Sequence, residues 1–263
     1  MNLQQLTIQV ANLARSAGKN LIEELKGFSV EDVETKGRHD FVSYVDKNTE
    51  DMLVGKLKKI LPEAGFIAEE NQELEKGERY NWVVDPLDGT TNFIHGIPVF
   101  SISIALMDGD EIVSGVVHEA NLGECFYAWK NSRAFLNGKS ISVSRAEKLS
   151  DSLLATGFPY SDYSKLKPYL EMFTHLLHIS HGVRRIGSAA VDLAWVACGR
   201  FEGFYEYGLN PWDVAAGALI VKQAGGKVTD FSGGQEYVFG RELLATNGNI
   251  HDEFLNDMKK YFA

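Results

Sequence analysis

The chain has 263 residues, of which 44% are hydrophobic and 24% charged, and its formal net charge is −10. This length can form a large core, as one big domain or as two subdomains, and the ordinary composition excludes extensive disorder. The negative charge argues against direct nucleic-acid binding, which needs a basic surface. It does not exclude action on phosphate esters, because bound cations can reverse the local field.

The cysteine usage and the N-terminus indicate the cellular compartment. Cys125 and Cys198 stand in apolar stretches and are expected to be reduced core thiols. The absence of a CxxC pair excludes a zinc ribbon or a dithiol site. The first residues lack a basic start and an apolar run, and no apolar run is long enough to span a bilayer. We therefore expect a cytoplasmic protein that does not enter the membrane.

The first half of the chain mixes helices with strands. Apolar residues at helical spacing predict a helix over residues 3–25 and a second over 47–61, which ends at Pro62. Asp108-Gly109 marks the turn of a predicted β-hairpin. The predicted strands cover residues 65–68, 81–85, 99–107, 112–117, 124–129 and 139–144.

Strands and helices alternate from about residue 150. One helix is predicted to start at Asn210, a good N-cap followed by Pro211, and to stop at Gly225-Gly226. The pattern favours an α+β half over residues 1–148 and an α/β half over 149–263. The other predicted helices are 164–179, 187–198 and 250–262, and the strands are 153–156, 201–207, 227–231 and 243–246.

The segment from Trp82 to Phe93 contains the strongest chemical pattern. Asp85 ends an apolar strand, and Pro86 is expected to stop that strand, so that a turn brings Asp85 and Asp88 to the same side. Two adjacent carboxylates repel each other unless a cation lies between them, and ligands that are all oxygen favour magnesium, manganese or calcium. The glycine and threonines that follow could present N–H groups and hydroxyls to a phosphate. Taken alone, this pattern is equally typical of an ordinary turn.

Two further acidic segments stand at the ends of predicted elements. Glu69-Glu70 follows a predicted strand, and Asp213 lies in the first turn of a predicted helix. Alone, each is more typical of a solvated charge or of a favourable helix-dipole interaction. Both stand beside apolar sequence that would hold them rigid, as a metal site requires.

Together these segments resemble the inositol monophosphatase family of lithium-sensitive phosphatases. The sequence Trp82-Val-Val-Asp-Pro-Leu-Asp-Gly-Thr-Thr-Asn-Phe93 is similar to the first family signature, and Trp212-Asp-Val-Ala-Ala-Gly217 with Gln223-Ala-Gly-Gly226 to the second. Gly187-Ser-Ala-Ala-Val-Asp-Leu-Ala194 and Gly203-Phe-Tyr-Glu-Tyr-Gly208 resemble the inositol-phosphatase branch and its bacterial members. The resemblance implies an α+β / α/β fold, a layered αβαβα sandwich of the sugar-phosphatase type, assembled as a homodimer.

The resemblance also implies a metal site for Mg²⁺. Glu69, Asp85 and the carbonyl of Leu87 would hold one ion, and Asp85, Asp88 and Asp213 a second. Some family members bind a third, weaker ion near Glu69.

The resemblance assigns further roles to other positions. Thr90 with Glu69 would orient and deprotonate the attacking water. Lys36 and Asp46 match an ion pair near the metal. The residues that would bind the phosphate or the substrate hydroxyls are Asp88, Gly89, Thr90, Thr91, Ala189, Glu206 and Asp213.

The implied reaction is hydrolysis of a small phosphate monoester, first of all inositol monophosphate, without a covalent intermediate. A 3'(2'),5'-bisphosphate nucleotidase, a fructose-1,6-bisphosphatase and a histidinol-phosphatase share both signatures and stay open, although Glu206 favours a phosphorylated polyol or sugar. An alternative of another class is a transcription-associated regulator that binds proteins.

Other polar clusters are weaker candidates for a functional site. His175, His178 and His181 recur at three-residue steps, but such steps drift around a helix, which disfavours a metal face. Arg184-Arg185 could line the phosphate pocket or a dimer interface, or be solvated.

Overall fold

Two large β-sheets with helices between and outside them form the part of the chain that the computed structural model describes. This part comprises residues 1–28, 33–37, 40–159 and 162–262, and the side chains of residues 33–37 and 40–43 are not included. The expected α+β / α/β fold is confirmed, with both large sheets and the helices around them.

The first large sheet has seven strands in the order β3-β4-β5-β6-β7-β8-β9, antiparallel except for the parallel pair β3–β4. A separate hairpin precedes it, formed by β1 (Val33–Gly37) and β2 (Asp40–Ser43). The strands of the large sheet are β3 (Gly65–Ala68), β4 (Tyr80–Asp88), β5 (Ser101–Asp108), β6 (Glu111–Glu119), β7 (Glu124–Trp129), β8 (Ala134–Leu136) and β9 (Lys139–Ile141).

The second large sheet has five strands in the order β11-β10-β12-β14-β13. The first three of these run parallel, and β14 pairs antiparallel with both of its neighbours. The strands are β10 (Leu153–Thr156), β11 (Gly182–Arg184), β12 (Gly203–Tyr207), β13 (Lys227–Thr229) and β14 (Glu242–Thr246).

The α-helices of the described residues form three layers around these sheets. None of them is both long enough and apolar enough to cross a membrane. They are α1 (Leu3–Gly27), α2 (Tyr44–Ile60), α3 (Thr90–Ile94), α4 (Leu166–Ile179), α5 (Ala189–Ala197), α6 (Pro211–Gln223) and α7 (His251–Phe262).

Alternation along the strands explains the layers, because successive side chains of a strand point to opposite faces. In β4, Trp82 and Val84 pack with α1 and α2, whereas Val83 packs with α5 and α6. In β12, Phe204 packs with α5 and α6, whereas Tyr205 packs with α4 and α7. The order is therefore helix, sheet, helix, sheet, helix, as the αβαβα prediction requires.

The strand β4 corrects one prediction. Pro86 does not end it, because β4 continues to Asp88. Asp85 pairs with Ser103 and Asp88 with Ser101, so β4 has one residue more than β5 between these pairs. Pro86 is tolerated in this bulge because its missing N–H interrupts no regular ladder. Since Ser101 and Ser103 lie two apart on one face, the extra residue places both aspartates on that same face.

Helices α5 and α6 pack unusually closely in the middle layer. A Cβ built at Gly217 of α6 would lie only 2.6 Å from Leu193 Cβ of α5, so only glycine permits this approach. Asp213 lies one helical turn before Gly217 and Ala189 one turn before Leu193. The close packing therefore brings the N-terminal turns of both helices together.

Most of the other predicted elements are confirmed, with ends shifted by a few residues. The strand predicted over residues 139–144 ends at Ile141. Sequence reasoning missed the short elements β8, β11 and α3 and the first hairpin. Cys125 is buried and Cys198 half-buried, and neither forms a disulfide. The division at residue 148 stays a prediction.

Candidate active site

Acidic side chains from both halves of the chain line one cavity of about 360 Å³. Glu69 follows β3, Asp85 and Asp88 lie at the β4 bulge, and Asp213 lies in the first turn of α6. Glu206 of β12 lines the same cavity. The sheets and the middle helices thus bring together carboxylates that are far apart in sequence.

The parallel pairing of β3 and β4 positions Glu69. Ala68 is paired with Val84, so the next residues, Glu69 and Asp85, are neighbours at the strand ends. Behind them, the carboxylate of Glu50 accepts hydrogen bonds from the N–H groups of Glu70 and Asn71, both at 2.8 Å. These bonds fix the chain as it leaves β3.

The bulge in β4 positions Asp85 and Asp88. The N–H of Leu87 donates to Asp85 Oδ1 at 2.9 Å, which closes the bulge over the carboxylate. Asp88 Oδ2 accepts from Ser188 Oγ at 2.6 Å and from the N–H of Ala190 at 2.7 Å. These hydrogen bonds connect Asp88, in the first half of the chain, to the start of α5 in the second half.

The start of α6 positions Asp213. Its Oδ2 accepts from the N–H of the N-cap residue Asn210 at 2.7 Å. The guanidinium of Arg241 donates to Asn210 Oδ1 at 2.9 Å and to the carbonyl of Gly208 at 2.8 Å, which secures the loop before the helix. Ser103 of β5 donates to the carbonyl of Trp212 at 2.9 Å, linking this helix to the sheet face that carries Asp85.

A hydroxyl group stands beside the carboxylates at the start of α3. Thr90 Oγ1 lies 3.1 Å from Asp46 Oδ1 and 2.9 Å from the carbonyl of Leu87. The hydroxyl has one proton, so it donates to one of these acceptors at a time. Gly89 before it has a φ of 97°, in the left-handed region, where a larger side chain would be strained.

Burial and mutual repulsion dominate the electrostatics of the cavity. Burial, followed by the charges of neighbouring carboxylates, raises the pKa of Glu69, of Asp85 and of Glu206 well above the usual range. Burial raises the pKa of Asp88 to about 6 despite its hydrogen bonds, and burial with the charge of Asp88 raises the pKa of Asp213 to about 7. Such a cluster is stabilised by added positive charge.

These donors fit hard divalent cations. All are carboxylate or carbonyl oxygens, the set that Mg²⁺ prefers over zinc. Among the described residues, no group of three or more His, Cys, Asp or Glu side chains is arranged so that it could hold a metal ion as it stands. Protein hydrogens already engage one oxygen of Asp88 and one of Asp213. The carboxylates therefore line one cavity, but their oxygens are not arranged around a single metal position.

The other predicted site residues are distributed as follows. Gly89, Thr91 and Ala189 line the cavity with Glu206. The side chain of Lys36 lies outside the described residues.

The remaining polar clusters lie elsewhere. His175 Nε2 is 2.9 Å from Asp257 Oδ2, a contact between α4 and α7 away from the cavity. Of the two arginines, Arg185 lines the cavity and Arg184 does not.

Sequence reasoning assigned no site role to several residues of the cavity, among them Ser188 and Asp192. Ser188 is both the N-cap of α5 and a donor to Asp88. Asp192 is fully buried in α5 and lines the cavity. A usable signal existed for Asp192, because it is the one charged residue in the apolar helix Ala189–Ala197.

The chain matches the model of the inositol monophosphatase family over residues 2–262. It is 39% identical over 248 residues to an inositol-1-monophosphatase of Mesorhizobium japonicum, covering 94% of this chain and 93% of that protein. It is 42% identical over 253 residues to the Nus factor SuhB of Pseudomonas aeruginosa, with the same coverage. A solved structure of an IMPase of Thermotoga maritima superposes with a TM-score of 0.87, at 36% identity, over 96% of each chain. The chain belongs to the inositol monophosphatase family.

Proposed function

We propose that this protein is a Mg²⁺-dependent phosphatase that hydrolyses a small phosphate monoester, inositol monophosphate before others, by direct attack of water. The observation that carries the proposal is the convergence of Glu69, Asp85, Asp88 and Asp213 on one cavity. A cavity of about 360 Å³ suits a small ligand. Its inositol-1-monophosphatase relative supports the choice of substrate.

The family resemblance assigns the residues that would hold the ions, and their oxygen donors are of the kind that Mg²⁺ prefers. Glu69, Asp85 and the Leu87 carbonyl would hold one Mg²⁺, and Asp85, Asp88 and Asp213 a second, while a third near Glu69 stays open. When bound, Mg²⁺ supplies positive charge that neutralises the phosphate dianion, activates the attacking water and stabilises the leaving oxygen.

The chain's own groups orient the water and the phosphate. Thr90 Oγ1, held by Asp46, faces the cavity beside Glu69 and would fix the water, whose proton Glu69 would accept. The N–H groups in the first turn of α3 have no partner within the helix, so those around Gly89 and Thr91 would donate to phosphate oxygens. Positioning and electrostatics would then account for most of the reduction in the activation barrier.

The leaving group would lie toward α5 and β12. Here Asp88, Ala189 and Glu206 line the cavity and would contact the hydroxyls of the alcohol. The buried carboxyl group of Glu206 favours a polyol, because a carboxylate can accept more than one hydroxyl hydrogen bond.

The test is phosphate release from a panel of monoesters, with Mg²⁺ titrated and a chelator as control. We expect release that depends on Mg²⁺ and is fastest with inositol monophosphate. Faster turnover of a 3'-phosphorylated nucleotide, fructose 1,6-bisphosphate or histidinol phosphate would change the substrate but keep the phosphatase. No Mg²⁺-dependent release from any ester would overturn the proposal.

A second function, in transcription, is suggested by the relative named Nus factor SuhB. The net charge of −10 favours contacts with proteins over direct RNA binding. The test is complementation of a deletion strain with an Asp213→Asn variant. Rescue by this variant would assign the essential role to binding, and failure of rescue, with stable protein present, would assign it to catalysis.

A further inference from the structure

Asp192 is a buried residue with one carboxyl oxygen, Oδ1, that has no hydrogen-bond partner in the described part of the chain. It lies in α5, is 1% exposed, and its Oδ1 contacts no donor among the described residues. Its side chain lines the cavity that contains the proposed metal ligands. The proposed function assigns no role to it.

The helix dipole does not explain why Asp192 is buried. Asp192 lies in the first turn of α5, where a negative charge is favoured, but that favourable interaction needs no burial. Leaving a buried polar atom unpaired loses more free energy than the dipole interaction gains. Buried polar groups of this kind are usually paired, so an unpaired one that lines a cavity is available to bind a group that enters the cavity.

The neighbours of Asp192 show which part of the cavity it faces. Its main electrostatic neighbours are Glu206, Asp88 and Arg185, whereas those of Glu69 are Asp213, Glu70, Asp85 and Asp46. Asp192 and Glu206 thus lie together at the end of the cavity formed by α5 and β12, next to Asp88, and Glu69 is not among the main electrostatic neighbours of either.

We propose that the carboxyl group of Asp192 accepts a hydrogen bond from a hydroxyl of the substrate's alcohol and, with Glu206, selects a polyhydroxy alcohol. The inference rests on the proposed function and adds Asp192 to the residues that determine its substrate specificity. Two carboxyl groups at this end match two hydroxyl donors. They also disfavour a substrate with a second phosphate there, because like charges repel.

The test compares two substrates that differ in their hydroxyls. Rates are measured for myo-inositol 1-phosphate and for cyclohexyl phosphate, with wild-type protein, Asp192→Ala and Asp192→Asn. We expect Asp192→Ala to lower kcat/KM about 5- to 10-fold for the inositol ester and less than about twofold for the cyclohexyl ester. Asp192→Asn retains an acceptor oxygen and should recover part of this loss.

Melting temperatures separate a structural role from a substrate role. Removing an unpaired buried carboxyl group should leave the melting temperature of either variant unchanged or higher. A lower melting temperature with equal loss on both esters would assign Asp192 to folding and overturn the inference. An unchanged ratio of the two kcat/KM values would overturn it as well, while the phosphatase proposal survives. Hydrolysis of neither ester by wild-type protein would overturn the inference, and the phosphatase proposal would then be decided by the full panel of monoesters.

Discussion

Gly157 and Glu206 are close neighbours, and a methyl group built at Gly157 would overlap the carboxyl group of Glu206. Gly157 follows Thr156 of β10, which pairs with Tyr205 of β12, so the strand register places the glycine beside the glutamate. Both line the cavity. The missing side chain at residue 157 leaves the space in which the carboxyl group lies.

We expect Gly157→Ala to displace Glu206 and weaken recognition of the substrate hydroxyls. One lost hydrogen bond to a charged group corresponds to about 10-fold or more in kcat/KM for inositol 1-phosphate. The rate with cyclohexyl phosphate should change far less. Gly55→Ala is the matched control, because a Cβ at Gly55 meets nothing within 4 Å. A Gly157→Ala protein with the wild-type ratio of the two rates would contradict this role of Glu206.

Gly217 gives a prediction for the close packing of α5 and α6. Gly217→Ala adds a methyl group 2.6 Å from Leu193 Cβ, so the helices must separate. Overpacking of this kind destabilises by about 1–3 kcal/mol, more than the helix propensity of alanine gains. Urea unfolding should therefore show a lower free energy of unfolding. A more stable variant would show that the helices can move apart freely.

The two aspartates of β4 illustrate what the sequence could predict. The pattern around Pro86 correctly indicated that Asp85 and Asp88 share a side, but it predicted a turn where the structure has a bulge. The bulge depends on pairing with Ser101 and Ser103 of β5, and a single sequence does not specify such a register. The sequence thus indicated that the two aspartates lie together. The strand pairing that places them there depends on β5 and could not be predicted.

The buried groups of α5 show the opposite limit. The sequence marks Asp192 as the one charged residue of an apolar helix, but it does not show that Oδ1 lacks a hydrogen-bond partner, because the neighbours Glu206 and Asp88 come from distant parts of the chain. Ser188 reads as an ordinary N-cap, and its bond to Asp88 spans 100 residues. Long, strongly periodic elements were predicted well, whereas short ones such as α3, with five residues, hold too little pattern.

Thr90 tests the proposed positioning of water. Thr90→Val keeps the shape but removes the hydroxyl that donates to Asp46 or to the Leu87 carbonyl. We expect kcat to fall about 100-fold, the size typical of lost proton-transfer chemistry, with a smaller change in KM. Thr90→Ser retains the hydroxyl and should keep most of the activity. Equal activities of the two variants would exclude the hydroxyl from the reaction.

Asp213→Asn separates catalysis from folding. The amide oxygen can still accept from the N–H of Asn210, which Asp213 Oδ2 now does at 2.7 Å, while one repelling charge is removed. We expect turnover to fall by at least about 100-fold and the melting temperature without Mg²⁺ to be unchanged or higher. The rise in melting temperature on adding Mg²⁺ should shrink. A near-wild-type rate would remove Asp213 from the metal site.

His251 gives a pH dependence of stability. It is fully buried between Thr229 and Thr246, 3.2 and 2.9 Å from their hydroxyls, and burial, with a smaller effect of Lys227, lowers its pKa to about 4. An unfolded chain protonates this ring near pH 6.5, so between these values the unfolded state binds more protons. The free energy of unfolding should therefore fall as the pH falls through this window, by up to about 3 kcal/mol.

A second variant isolates this effect. The raised pKa values of Asp88 and Asp213 act in the opposite direction over the same window, so the wild-type slope alone does not report on His251. Urea unfolding of wild-type protein and His251→Gln at pH 8 measures the effect of the substitution itself. The variant has no imidazole at residue 251 to take up a proton. The difference in the free energy of unfolding between the two proteins should therefore shrink toward pH 4.5. A difference that stays constant with pH would mean that His251 titrates equally in both states.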